Sequence, residues 1–317
     1  MNEFQIINNL KKIVKNQAAL NLNDDVFFDK KNSLVASIDT YNEGVHFLNF
    51  RKPDLIIKKI IRSSISDIIS KGVDPKYLLI TFSGTKKHLN KKNIKLILNS
   101  IKQEQKKYNF SLIGGDTTKS KNLSFTVCVF GFSKRIIKRN NCFKNDDIYI
   151  TGNIGDSSVG LDFLTKRIKS NINYKNFFIE KYFKPNISYG FHKELHRFAT
   201  SSMDISDGLL LDLNKLIGNK KLKFLIDYNK LPISFNFQKF FKNKKTSINN
   251  YLFKGDDYQI LFTANIRFRK IIDVTSKKWN QKVTKIGSIT NNKDNYMMLN
   301  TKFKKIIDYQ GYIHNFN

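Results

Sequence analysis

The 317-residue sequence predicts two packed units of mixed α/β structure, approximately residues 1–140 and 141–317. Strand-like and helix-like patterns alternate along the chain. The alternation stops in a basic, Asn-rich stretch, Lys134–Asn145, and then begins again. A 40% hydrophobic content with 27 Phe supplies enough apolar volume for sizeable cores.

Apolar residues at Phe4, Ile7, Leu10 and Val14 have helical spacing, and Ser33–Asp39 reads as a strand. Pro53-Asp54 opens an amphipathic helix, with Asp54 expected as its N-cap, and Gly72 closes it ahead of Pro75. Tyr77–Phe82 reads as a strand and Asn90–Tyr108 as a helix. Ser111–Ile113 is a short strand running into a turn at Gly114-Gly115, and Leu123–Phe132 is a long strand. In the second half, strands are expected at Ile148–Thr151, Ser202–Ile205, Phe224–Asp227 and Tyr258–Thr263. Helices are expected at Ser157–Arg167, near Ser188–Phe198 and at Leu209–Ile217.

No apolar run approaches the length of a membrane span, and the N-terminus lacks the apolar core of a signal peptide, so a cytoplasmic protein without a membrane partner is expected. Cys128 and Cys142 form neither a metal-ligand spacing nor a disulfide framework. Cys128, in an alternating apolar run, is expected to be buried. The 56 Lys+Arg against 26 Asp+Glu give a net charge of +30, which raises the alternative of a nucleic-acid-binding protein. The lysines are dispersed over polar helical faces, and Asn is abundant too. This suits a solvated surface from an AT-rich genome, with no specific nucleic acid expected.

The aspartates are more informative. Asp24-Asp25, Asp39, Asp116, Asp204, Asp207 and Asp256-Asp257 all sit beside strand-like or glycine-containing segments. Asp67 lies seven residues after Ile60, which brings it within about 20° of the same direction on a helix, so it points with the apolar face. Each of the others alone could be a cap or turn residue. An unpaired carboxylate at Asp67 would cost several kcal/mol or take up a proton. Several carboxylates meeting in one cleft call for hard cations, and magnesium with phosphoryl chemistry is the natural solution.

Two glycine segments add phosphate-binding potential: Gly114-Gly115-Asp116-Thr117-Thr118, and Thr151-Gly152-Asn153-Ile154-Gly155-Asp156-Ser157, which follows a strand and opens a helix. Neither a Walker A loop nor Gly-x-Gly-x-x-Gly occurs. His192-Lys193-Glu194-Leu195-His196 fails the metalloprotease spacing and is expected to be a helix surface; His46 stands apart because it closely follows Asp39.

In order, Asn23-Asp24-Asp25, Ser37-Ile38-Asp39-Thr40, Glu43-Gly44-Val45-His46-Phe47, Ser66-Asp67 with Gly72-Val73-Asp74-Pro75, and Ile113-Gly114-Gly115-Asp116-Thr117-Thr118 resemble the thiamine-monophosphate kinases. The series continues through Gly152–Ser157, Met203-Asp204-Ile205-Ser206-Asp207-Gly208, Gly255-Asp256-Asp257-Tyr258 and Gly311-Tyr312-Ile313-His314. The resemblance implies the aminoimidazole-ribonucleotide-synthetase-like fold: an N-terminal α+β domain that dimerises through its sheet, and a C-terminal α/β domain. It implies a homodimer using ATP, several Mg²⁺ ions and thiamine monophosphate, and direct in-line transfer to give thiamine diphosphate.

By the same likeness, Asp25, Ser37, Ile38, Asp39, Asp67, Asp116, Asp204 and Asp207 would surround the metals. Gly115, Asp116, Arg139 and Ser206 would contact ATP, and His46, Asp256 and Tyr312 would hold the acceptor. Catalysis would rest on Asp39, Asp67, Asp116, Arg139 and Asp207. The chain departs from the family pattern at Asn23 (usually Gly), Ile38 (commonly Thr), Asp256 (usually Glu) and the extra Asn315. A sibling enzyme with another acceptor is the nearest alternative. Selenophosphate synthetase is disfavoured because no Cys precedes Cys128.

Overall fold

The computed structural model describes residues 1–169, 174–218, 220–242, 248–307, 309 and 311–316. After helix α1 (Glu3–Leu10) come strands β1 (Phe27–Asp29) and β2 (Leu34–Asn42), helix α2 (Pro53–Ser70), β3 (Pro75–Gly84), α3 (Lys91–Tyr108), β4 (Ser111–Lys119) and β5 (Ser124–Phe132). The five strands form one sheet in the order β1-β2-β5-β3-β4, in which only β3 and β4 run parallel.

Strand alternation divides this sheet into two faces. Val35, Ser37, Asp39 and Tyr41 of β2 point inward with Phe125, Val127 and Val129 of β5, and α2 lies across them with α3 beside it. Ile38, Thr40, Cys128, Phe132 and Tyr77 occupy the outer face, which no element of the chain covers among the described residues. There Ile38 is 68% exposed and Phe132 52%. Cys128 is therefore only half-buried, whereas Cys142 is the fully buried thiol: alternation sends Val127 and Val129, not Cys128, to the core.

Pro53 stands at the first turn of α2 and Gly72, with φ of 76°, follows its end. The N-cap is Lys52, not Asp54, which sits inside the first turn where its charge favours the helix dipole. Gly114 and Gly115 do not turn. The chain continues as β4 because Gly115 pairs with Ile80, and a Cβ at Gly115 would collide with the Ile80 carbonyl.

The second unit contains β6 (Asp147–Thr151), α4 (Asp156–Leu164), α5 (Lys175–Phe183), β7 (Ala199–Asp204), α6 (Leu209–Ile217), β8 (Lys223–Asp227), α7 (Phe235–Phe241), α8 (Asn249–Leu252) and β9 (Ile260–Ala264). It ends with α9 (Arg269–Lys278), β10 (Val283–Thr290), β11 (Tyr296–Leu299) and β12 (Lys302–Lys305). Its sheet has the order β12-β11-β8-β10-β6-β9-β7. The helix expected near Ser188–Phe198 is a short 3₁₀ segment, Phe191–Arg197, and His192 is fully buried rather than on a surface. His192 and His196 face the seam between the units while Lys193 and Arg197 stay exposed, so the amphipathic pattern marks only part of the segment as a solvated face.

Helix α2 is the seam. Lys59 bonds to the Tyr182 carbonyl and Arg62 to that of Pro185. Ser66 donates to Asp204, Lys71 to the Ser202 carbonyl, and His196 bonds to the Gly72 carbonyl. His192 Nε2 lies 3.1 Å from Asp74 just beyond the helix. These ties run the length of the helix, which is why it is buried on nearly all sides.

Candidate active site

Three chain segments converge at the seam. Asp25 precedes β1, Asp67 lies in the last turn of α2, and Asp204 ends β7. Each offers one carboxylate oxygen, and these oxygens lie within 4.8 Å of one another. Asp39, on the inner face of β2, is close enough to repel both Asp67 and Asp204. Burial pushes Asp39 up to about 6, opposed by the Tyr41 hydroxyl, which donates to it at 3.2 Å. Burial likewise raises Asp67 well above the usual carboxylate range, reinforced by the charges of Asp39 and Asp204. It raises Asp204 too, against the Ser66 hydroxyl bond. Carboxylates in this condition are relieved by cations, and an all-oxygen donor set fits a hard divalent ion such as Mg²⁺. Ser37, buried two residues before Asp39 on the same face, reaches the Ser64 carbonyl at 3.5 Å.

Two protein cations already attend the cluster. The Arg139 guanidinium pairs with Asp25, its Nε donating at 3.0 Å, and its backbone N–H donates to Asp24. The Lys71 ammonium pairs with Asp24 at 2.8 Å and Asp25 at 2.6 Å.

A second constellation lies beyond the Asp204–Gly208 segment. The Ser206 carbonyl accepts from the Asp256 N–H at 2.7 Å, and the Asp207 carbonyl from the Tyr312 N–H at 2.9 Å. Gly255 is required there, since a Cβ would strike the Ser206 carbonyl. The Asp256 carboxylate pairs with Lys59 at 2.5 Å and accepts from the Ser157 hydroxyl at 3.0 Å. Lys59 also lies 4.0 Å from the centre of the Tyr182 ring, a cation–π contact. The His46 ring is 5.5 Å from that of His314, which packs edge-on against Tyr312 at 4.8 Å. Burial, His314 and Lys59 hold the His46 pKa below its ordinary value. Thus His46, Asp256 and Tyr312 line one region, and Tyr312 remains 47% exposed.

Other predicted residues fall elsewhere. Asp116 and Gly115 lie on the exposed β4 edge strand, and the Ile38 side chain points to the outer face, so only its backbone adjoins the crevice. Asp207 pairs with Lys215, outside the three-carboxylate group, while Ser206 is held through its backbone by Asp212. The glycine turn before α4 spends its Gly155 N–H on the protein's own Asp257, 3.0 Å away, rather than leaving it free for a ligand. A cleft of about 400 Å³ opens beside it, between Gly152, Asn153, Asp156, Lys181 and Asp256.

Lys59, Lys71 and Asp212 escaped the sequence reading, and Ser66 entered it only as part of the Ser66-Asp67 motif. One signal was present for the first: Lys59, Ser63, Ser66 and Ser70 repeat at steps of four, three and four, a second buried stripe marking α2 as covered on two sides. Lys71 had no such signal.

The two-sheet α/β architecture with a carboxylate crevice at its seam goes with a match of residues 15–133 to the family described as "AIR synthase related protein, N-terminal domain". The thiamine-monophosphate kinase of Buchnera aphidicola subsp. Schizaphis graminum is 35% identical, covering 99% of this chain and 98% of its own length. That of Aquifex aeolicus is 30% identical, covering 87% and 90%. The structure described as "AaThiL complexed with AMPPCP and TMP" superposes with a TM-score of 0.85 at 28% identity, covering 99% of this chain and 97% of that one. The chain belongs to the thiamine-monophosphate kinase family.

Proposed function

We propose that this protein transfers the γ-phosphoryl group of ATP to thiamine monophosphate, yielding thiamine diphosphate and ADP. The observation that carries the reading is the meeting of Asp25, Asp67 and Asp204 at the seam, one side chain from each of three distant segments. It accords with the relative solved with AMPPCP and TMP and with the names of the similar kinases.

The bond formed joins a phosphate oxygen of the acceptor to the γ-phosphorus. The bond broken is that from the γ-phosphorus to the β–γ bridging oxygen, whose electron pair leaves with ADP. The attacking oxygen is already anionic and needs no strong general base, so the barrier is repulsion between anions and misalignment. Magnesium, when bound there, would offset the charge of the phosphates. Asp25, Asp67 and Asp204, with Asp39 and Ser37 beside them, are the residues that would hold it. Arg139, paired here with Asp25, would supply a guanidinium to the nucleotide phosphates on exchanging that partner. His46 and Tyr312 present ring faces to the acceptor's heterocycles, and Lys59 holds Asp256 in place beside them.

The working form we propose is a cytoplasmic homodimer of two-domain subunits divided near residue 140. The uncovered outer face of the first sheet, with Ile38, Phe132 and Tyr77 exposed, is the surface that supports dimerisation. No helix among the described residues is long and apolar enough to cross a membrane. Incubating the folded protein with ATP, Mg²⁺ and thiamine monophosphate and following thiamine diphosphate by chromatography is the direct test. No product at saturating substrates rejects the assignment.

A further inference from the structure

Lys71 follows the last turn of α2 and is wholly buried. An ammonium has three N–H donors. Here they face three oxygens, Asp24 Oδ1 at 2.8 Å, Asp25 Oδ2 at 2.6 Å and the Ser202 carbonyl at 2.8 Å. Two carboxylates and a backbone carbonyl are the donor types that bind a hard metal ion. The ammonium also acts as a positive charge on the neighbouring Asp67 and Asp204, joined at Asp204 by Arg139.

Its position is strongly determined. Lys71 is the C-cap residue of α2, at the end of the helix where the dipole favours a cation. The neighbouring backbone is fastened as well: the Lys71 carbonyl accepts from the Ile137 N–H at 3.2 Å, and a Cβ on Gly72 would press on His196. Arg139 differs, because it reaches the cluster on a side chain from the loop joining the two sheets and pairs with carboxylates only. One cation is thus built into the floor of the crevice, and the other approaches from its side.

We propose that the Lys71 ammonium is a tethered cation standing in the place of one divalent ion, so that this protein holds its nucleotide with one metal ion fewer than the same crevice would need with an apolar residue at position 71. The proposal rests on the crevice being a metal site, as the functional reading has it. Removing the ammonium leaves Asp24, Asp25 and the Ser202 carbonyl facing one another, a vacancy shaped for a cation.

The test counts Mn²⁺ bound per chain by electron paramagnetic resonance, in the presence of the non-hydrolysable analogue AMPPCP, for the wild-type protein and Lys71→Met. Melting temperatures with and without millimolar Mg²⁺ are measured in parallel. The expected result is one additional Mn²⁺ in the variant, and a melting temperature that is lowered without Mg²⁺ and recovered with it. Equal Mn²⁺ counts overturn the proposal, as does a variant that Mg²⁺ fails to restabilise or refold, since Lys71 is then a structural tie between the units. Should the wild-type protein itself take up no Mn²⁺, the metal reading of the crevice fails instead.

Discussion

Asp39 and Asp116 leave one sheet from opposite faces. Asp39 pairs through Val127 and Ile80 with Gly115, so three strand spacings, roughly 14 Å, separate it from the strand that carries Asp116. Asp39 faces α2 and the crevice, whereas Asp116 is exposed on the opposite face, in the cross-strand row of Thr81, Thr126 and Thr40. Within one chain these two carboxylates are too far apart to share an ion.

A dimer in which Asp116 completes the crevice of the partner subunit would let both carboxylates serve one reaction. Asp67→Asn and Asp116→Asn should each abolish kinase activity. Coexpressing the two variants should restore up to about half of it, because one of the two crevices in a mixed dimer then has both residues. An inactive mixed dimer, verified as mixed by differential tags, would place both residues in the same subunit's site.

Breaking the Lys59–Asp256 pair leaves a buried partner uncompensated. Loss of one member of a fully buried pair costs roughly 3–5 kcal/mol. Asp256 keeps 27% exposure, so Lys59→Met should cost less, about 2 kcal/mol. The acceptor KM should rise far more than the KM for ATP, since Asp256 adjoins His46 and Tyr312. Steady-state kinetics in both substrates checks this, and an equal rise in both would remove Lys59 from the acceptor side.

Asp212 gathers the backbone N–H groups of Ser206, Asp207 and Gly208 at 3.0–3.1 Å. Asp212→Ala abandons all three donors and should destabilise the protein by about 2–4 kcal/mol, with the ATP KM rising as Ser206 loosens. Asp212→Asn keeps a carbonyl acceptor and should be milder in both. Urea unfolding midpoints and KM values together test the ordering.

Acid should weaken the seam through His192. Its Nδ1 accepts from the Gly190 N–H at 3.0 Å, so the proton sits on Nε2, which donates to Asp74. Burial holds its pKa below the ordinary 6.5 despite that bond. The unfolded chain therefore takes up the proton more readily than the folded one. Stability is complete above the unfolded value and is lost as pH falls from there toward the folded pKa. Asp74, lowered to about 2 by the His192 bond, loses its own contribution only in far stronger acid. Melting temperature should drop as pH falls below the ordinary histidine value of 6.5, and His192→Gln should flatten that slope.

The amino-acid sequence by itself determined the alternation of elements, the helix bounded by Pro53 and Gly72, and the anomaly of Asp67 on an apolar face. Each of these is local, since periodicity, glycine and proline act within a few residues. It also held the ordered motifs that mark the family. Only the tertiary structure decided which aspartates meet. Asp25, Asp67 and Asp204 are brought together by β7 docking on α2, while Asp116, equally prominent in sequence, lies on an outward-facing edge strand. Lys59 and Lys71 carry the same lesson: each reads as one more solvated lysine in a chain of net charge +30. Their burial follows from what packs against the second side of α2, a long-range fact that the stripe of Ser63, Ser66 and Ser70 signals for Lys59 and that no local pattern encodes for Lys71.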